Sequence, residues 1–382
     1  MEQRLSRVSK VARIGLVSGL IAAIHSFAIA AEAPKISGFI DTTYTYDTNR
    51  PFSRITGGRS FDRRSGDFLL NALQLNIAGD AGEGIGYYGE LAFGTDPSIY
   101  KSAGTGADGA LGAAPVTPTT VAYNFEVQEA YITYKCPLTS IMAKAGKFVT
   151  LQGIEVIESK DNNTITRGAL FSLLEPYTHV GALLGYQLNP MFDVWLGVVN
   201  GWDLHIDNNS AKTLVGKVGI NLSENMSGNV SFTRGAEKLN NSLDQRTSVD
   251  TTWLIKPMKD IAVGVQFNIG EEEKAAVAGP NTGAAAHWFG FGVQPKFVLT
   301  DKFSLGTRYE YLSDKDGARN GSGLGIVANS ITLTPTWDVT QALVFRLEYR
   351  YDSTSVGVFE KSDGTISKDN VSTLGAELIY KF

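Results

Sequence analysis

Residues 32–382 read as an all-β chain that closes into an antiparallel transmembrane β-barrel of about 16 strands. Three observations predict this class. Runs of about ten residues alternate apolar with polar, the period of a strand with two unlike faces. The links between runs alternate between short turns and long polar loops, which a soluble sandwich has no reason to do. Beyond residue 31 no stretch supplies the ~20 apolar residues of a membrane helix. A chain in the bilayer must then satisfy its backbone by closing a sheet on itself.

Residues 1–31 are expected to be a cleaved signal peptide. Arg4, Arg7, Lys10 and Arg13 make a basic start, an apolar stretch runs from Ile14 to Ile24, and Ala28-Ile29-Ala30 is a small-x-small cleavage site. Sixteen runs follow, over 36–47, 67–78, 85–95, 123–135, 140–149, 178–188, 192–202, 212–222, 226–236, 246–256, 260–270, 286–299, 302–313, 327–337, 341–352 and 370–382. An even number places both ends of the barrel on one, periplasmic, side. The short links, such as 79–84, 136–139 and 189–191, carry Gly, Pro, Asn and Asp, which is turn chemistry. The long links include 48–66, 96–122, 150–177, 271–285, 314–326 and 353–369. Pro295 and Pro335 fall inside runs, where a missing N–H breaks the ladder, each near the expected periplasmic end of its strand, where a bulge is easiest to accommodate.

The face pattern decides what points inward. In 341–352, Leu343, Phe345, Leu347, Tyr349 and Tyr351 oppose Arg346, Glu348 and Arg350; in 302–313, Phe303, Leu305, Tyr309 and Tyr311 oppose Arg308 and Glu310. A charge facing lipid at mid-membrane costs ~2–4 kcal/mol, so the charged face must line the lumen. Arg308, Glu310, Arg346, Glu348, Arg350 and Glu377 are thus expected on the lumen wall. The last strand ends in Leu378, Tyr380 and Phe382 on the apolar face, with Ile379 the one apolar exception on the polar face. That terminal pattern resembles the closing-strand signal of bacterial outer-membrane proteins, which implies the barrel-assembly machinery as a partner.

The third long link, 150–177, is unlike the others. It mixes Ile154, Val156, Ile157, Leu170, Phe171, Leu173 and Leu174 with Glu155, Glu158, Lys160, Asp161, Arg167 and Glu175. A loop that apolar should pack against something, so it is expected to fold inward, with those six charged residues at a constriction that sets ion preference. A transverse field is one expectation, with Arg308, Arg346 and Arg350 facing Glu155, Glu158 and Asp161; scattered solvated lumen charge is the alternative.

Several pieces resemble the beta-barrel porin-2, OmpL-like family of outer-membrane proteins. They are Gly146-Lys147-Phe148, Glu155-Val156-Ile157-Glu158, Asp161-Asn162, Arg167, Leu170-Phe171, Pro176-Tyr177-Thr178-His179 with Gly181, and Val198-Val199-Asn200-Gly201-Trp202-Asp203. Ser37 to Thr42 and Asn49-Arg50-Pro51 look like the family's first strand, while Asn163 departs from it where an aromatic is expected. The resemblance implies an outer-membrane pore without a defined substrate.

Other chemistry is not indicated. His179, His205 and His287 sit in separate elements without metal-ligand spacing, so no metal or cofactor is expected. No nucleophile motif or phosphate loop is present, so no catalytic residues are assigned and an enzyme is not expected. A formal charge of −5 excludes a nucleic-acid partner. Cys136 is the lone cysteine, so no internal disulfide forms. The sequence therefore predicts a porin for passive diffusion of ions and small hydrophilic solutes. The alternatives are an anion- or phosphate-preferring porin and a barrel receptor or adhesin. Outer-membrane lipid and lipopolysaccharide are the expected surroundings; Arg50, Arg54, Arg59, Arg63 and Arg64 crowd the first loop, which is expected to be solvated rather than bound to lipopolysaccharide phosphates, and a homotrimer rests on analogy alone.

Overall fold

The computed structural model of the chain describes residues 33–101 and 124–382. Residues 1–31 and most of the 96–122 link lie outside the described residues. Sixteen strands of the described chain form one closed antiparallel barrel, each paired with its neighbour in sequence order. They are β1 (Lys35–Asp47), β2 (Phe68–Gly82), β3 (Ile85–Gly94), β4 (Asn124–Lys135), β5 (Met142–Val149), β6 (Thr178–Gln187), β7 (Phe192–Val199) and β8 (Thr213–Ser223), then β9 (Met226–Ala236), β10 (Gln245–Met258), β11 (Ile261–Glu272), β12 (Ala286–Val298), β13 (Phe303–Asp314), β14 (Ile326–Asp338), β15 (Leu343–Thr354) and β18 (Asn370–Lys381). A two-stranded ribbon, β16 (Phe359–Glu360) with β17 (Ile366–Lys368), stands in the last long link. Among the described residues no helix is long and apolar enough to cross a membrane. Two short helices, α1 (Pro97–Tyr100) and α2 (Ala169–Leu173), belong to the long links.

The barrel closes where β1 meets β18. Phe39 pairs with Lys381 and Asp47 with Thr373, and Gly38 and Phe382 exchange backbone hydrogen bonds of 2.9 and 3.0 Å. No edge is left open to lipid, the condition a membrane sheet must meet. Alternation holds along the wall. Leu347, Tyr349, Leu374, Leu378, Tyr380 and Phe382 are exposed on the outside, whereas Arg346, Glu348, Arg350, Thr373 and Glu377 are buried inside. Outward aromatics gather near the strand ends, with Phe303 stacked on Trp337 at 5.8 Å and Tyr380 on Phe382 at 6.3 Å. Such rings suit the boundary between headgroups and acyl chains.

Departures from alternation have local causes. Ile379 points inward and joins Phe39, Ala72 and Val344 in a small apolar cluster. The prolines break the ladder, as a missing N–H was expected to. The pairing of β12 with β13 skips Gln294 and Pro295, and that of β14 with β15 skips Thr334 and Pro335, with no bulge, since in neither does the register shift. The lost N–H removes ladder steps without displacing a strand. A true bulge lies between β3 and β4, where Glu90 pairs with Glu129 and Leu91 with Val127. The extra residue, Gln128, turns inward beside Glu129, and both are buried.

Candidate functional site: the loop 150–177 and the two walls it meets

The backbone of 150–177 is mostly irregular, so its N–H and C=O groups need partners other than a ladder. The inward-facing charges of β13–β15 supply many of them. Glu348 accepts from Ile165 N at 2.6 Å, Thr166 N at 3.2 Å and Thr166 Oγ1 at 2.6 Å. Glu310 accepts from Ala169 N and Leu170 N at 2.9 and 3.2 Å, capping the free amides that open α2. Arg346 donates to the carbonyls of Ser159, Asn162 and Thr164, and Arg350 donates to Arg167 O at 2.8 Å. Arg308 pairs with Glu155 at 2.6 Å and donates to Thr164 Oγ1 at 2.8 Å, while the other Glu155 oxygen accepts from Gly168 N at 2.6 Å. Charged wall groups thus stand in for secondary structure.

Apolar packing fixes the same loop from two further sides. Leu170, Leu173 and Leu174 pack with Trp288, Leu312 and Ile326 on β12–β14. Ile157, Phe171 and Tyr177 pack with Phe61, Ala92 and Tyr100 from the first link, β3 and α1. Wall glycines make room for this. A Cβ at Gly306 would overlap the Asn163 carbonyl, and one at Gly264 would overlap Ile154.

The residues expected at a constriction therefore divide. Glu155, Arg167 and Glu175 are buried. Arg167 pairs with Asp96 at 3.2 Å, donates to Ile157 O and covers the Phe61 ring at 4.4 Å. Burial raises Asp96 to about 6, against the opposing pull of Arg167. Glu175 accepts from Gln266 Nε2 at 3.3 Å, and burial, then the Asp250 carboxylate, push it well above the usual carboxylate range. Glu158, Lys160 and Asp161 are less enclosed and border a cavity of about 320 Å³ on the far side of the loop. Lys160 is paired with Asp161. Glu158 accepts from Gln128 on β4, not from an arginine. Of the expected transverse field only the Arg308–Glu155 contact is present; Glu158 and Asp161 bond elsewhere. The expected wall residues Arg308, Glu310, Arg346, Glu348, Arg350 and Glu377 are all buried inside. Glu377 meets Arg346 Nε at 3.3 Å and accepts from Ser159 Oγ.

Sequence reading missed the wall formed by β2–β4, which only β1 and β18 separate from β15. Gln74 on β2, Tyr88 and Glu90 on β3 and Glu129 on β4 line that cavity. Tyr88 donates to Glu90 at 2.8 Å, and Glu129 accepts from Val149 N at 2.9 Å. Alternation within 85–95 placed Glu90 on the polar face and could have found it; the bulge at Gln128 hides its neighbours.

The family profile of putative beta-barrel porin-2, OmpL-like, matches residues 34–382, the whole barrel. The chain belongs to this family. It is an outer-membrane porin, and the closed sixteen-stranded wall is the channel's frame. No curated protein matches it in sequence. Solved structures resemble the porin in fold. The anion-selective porin from Comamonas acidovorans is 9% identical with a TM-score of 0.59, covering 92% of this chain and 99% of that one. The outer membrane channel DcaP of Acinetobacter baumannii is 12% identical with a TM-score of 0.57, covering 93% and 99%. In-vitro folded OmpT of Vibrio cholerae, in a trimer form, is 13% identical with a TM-score of 0.59, covering 92% and 99%.

Proposed function

We propose that the porin is a passive diffusion channel for ions and small hydrophilic solutes, narrowed by residues 150–177. The supporting observation is the division of the interior by that loop. It is bonded to the charged face of β13–β15 and leaves a cavity bordered by Glu90, Glu129, Glu158 and Asp161 against β2–β4. On this reading residues 1–31 are a leader removed during export, and the chain works without a catalytic centre. The Vibrio cholerae relative in fold occurs as a trimer, and a homotrimer is the assembly proposed here. The anion-preferring alternative is not favoured, because Arg308, Arg346 and Arg350 are occupied by loop carbonyls and carboxylates.

The test is single-channel recording of the purified outer-membrane protein in a planar bilayer. Stable ohmic steps are expected. A folded, heat-modifiable barrel that conducts nothing would overturn the reading, since the loop would then seal the lumen.

A further inference from the structure

Three inward arginines and two inward glutamates stand on β13–β15, and a porin reading alone leaves the ion preference open. The structure separates the two kinds of charge. Arg308, Arg346 and Arg350 are each at least 96% buried, behind the loop, and each is bonded to loop atoms. None of them lines the cavity between the loop and β2–β4. Glu90, Glu129, Glu158 and Asp161 do, and the cation there, Lys160, is taken up by Asp161. Lys144 acts on Glu129 but keeps its ammonium 4.2 Å over the Tyr131 ring and is not part of the lining.

An acidic lining alone would not point to a ligand. The second observation is the state of Glu90. It is 2% exposed, yet its Oε1 has no hydrogen-bond partner. Glu158 borders the same cavity, and its carboxylate lies near enough to repel that of Glu90. Gln128, which donates to Glu158, also keeps a buried Oε1 without a partner. Tyr88 and Gln128 each satisfy one carboxylate oxygen, and Glu90 Oε1 is left without a donor beside the Glu158 carboxylate. Like charges so placed need a proton or a cation between them. Among the described residues no set of ligands fit to hold a metal ion is present, so a tight divalent site is not what is built.

We infer that the passage between the loop and β2–β4 prefers cations, and that a monovalent cation rests at the Glu90–Glu158 pair on its way through. This deepens the proposed diffusion channel and rests on it. The buried arginines act as fasteners for the loop and contribute little to the field a permeating ion meets. A patch of carboxylates that outnumbers its cations at a narrow point is enough to set such a preference.

The experiment is the reversal potential of the full protein under a potassium chloride gradient across a planar bilayer at neutral pH. Wild type is expected to pass potassium over chloride. Glu158→Gln and Glu129→Gln are each expected to lower that permeability ratio roughly twofold or more, with ohmic steps retained. Asp161→Asn, at an exposed position, serves as the variant least able to disturb folding, and a smaller fall in the same direction is expected. Chloride preference in wild type, or an unchanged ratio in both glutamine variants, would overturn the inference while leaving the channel reading intact. Absence of any conductance would overturn both.

Discussion

The two sides of the lumen carry similar residue types and use them differently. On β13–β15 and β18, arginines and glutamates are buried against the loop and nearly every one has a partner, although Glu310 and Arg350 also border a cavity of about 490 Å³ beside the first and last links. On β2–β4, glutamates face a cavity and outnumber the cations beside them. The lesson is that an inward charge is not by itself a pore charge. Burial converts it into structure, because a desolvated ion keeps its charge only when paired or hydrogen-bonded. A field acting on solutes needs groups that the protein leaves unpaired.

Removing a fastener should break that contrast most strongly. Arg308→Ala leaves Glu155 and Glu310 buried without their guanidinium, a loss of about 3–5 kcal/mol where a buried pair is broken from one side. The expected outcome is a loosened loop in an intact barrel: new protease cuts within 150–177 and a larger single-channel conductance. The same result from Glu129→Gln would erase the distinction between the walls. A smaller effect is expected at Asp203, beyond β7, whose carboxylate accepts from Tyr177 N and Thr178 N at 2.6 and 3.0 Å and holds the end of the loop. Burial raises Asp203 to about 6, so the folded protein binds this proton more tightly than the unfolded chain does. Its contribution to stability is therefore present at low pH and is lost as pH rises through about 6. Asp203→Asn should flatten the pH dependence of the heat-modification midpoint between pH values of about 4 and 7. The smallest change is expected at Arg54→Gln in the first link. This residue pairs with Asp67 in water, and loss of such a pair shifts the same midpoint by an amount worth ~1 kcal/mol or less.

The barrel was legible because its signals are local. Period-two alternation and turn residues placed sixteen runs, and the strands begin and end within a few residues of them. The inward direction of Arg346 and Glu348 followed from the cost of charge in lipid. The partners did not follow, because Arg308 and Glu155 are 153 positions apart and Glu348 and Thr166 are 182 apart. Alternation gives a face but not an angular position around a closed sheet. The bulge that turns both Gln128 and Glu129 inward breaks the very rule that would have found them. Ile379 is the converse case. Its inward position was read correctly as an exception, and only the tertiary structure supplies Phe39, Ala72 and Val344 to explain it.

Glu377 gives the closing strand a second task. Its carboxylate meets Ser159 in the loop and Arg346 on the neighbouring strand, and Arg346 in turn holds the Ser159 carbonyl. The berth for the narrowing segment is therefore unfinished until β18 is seated between β15 and β1. Sealing the cylinder and installing its internal restriction are steps of one assembly, and a ring left ajar would also be one without a complete throat.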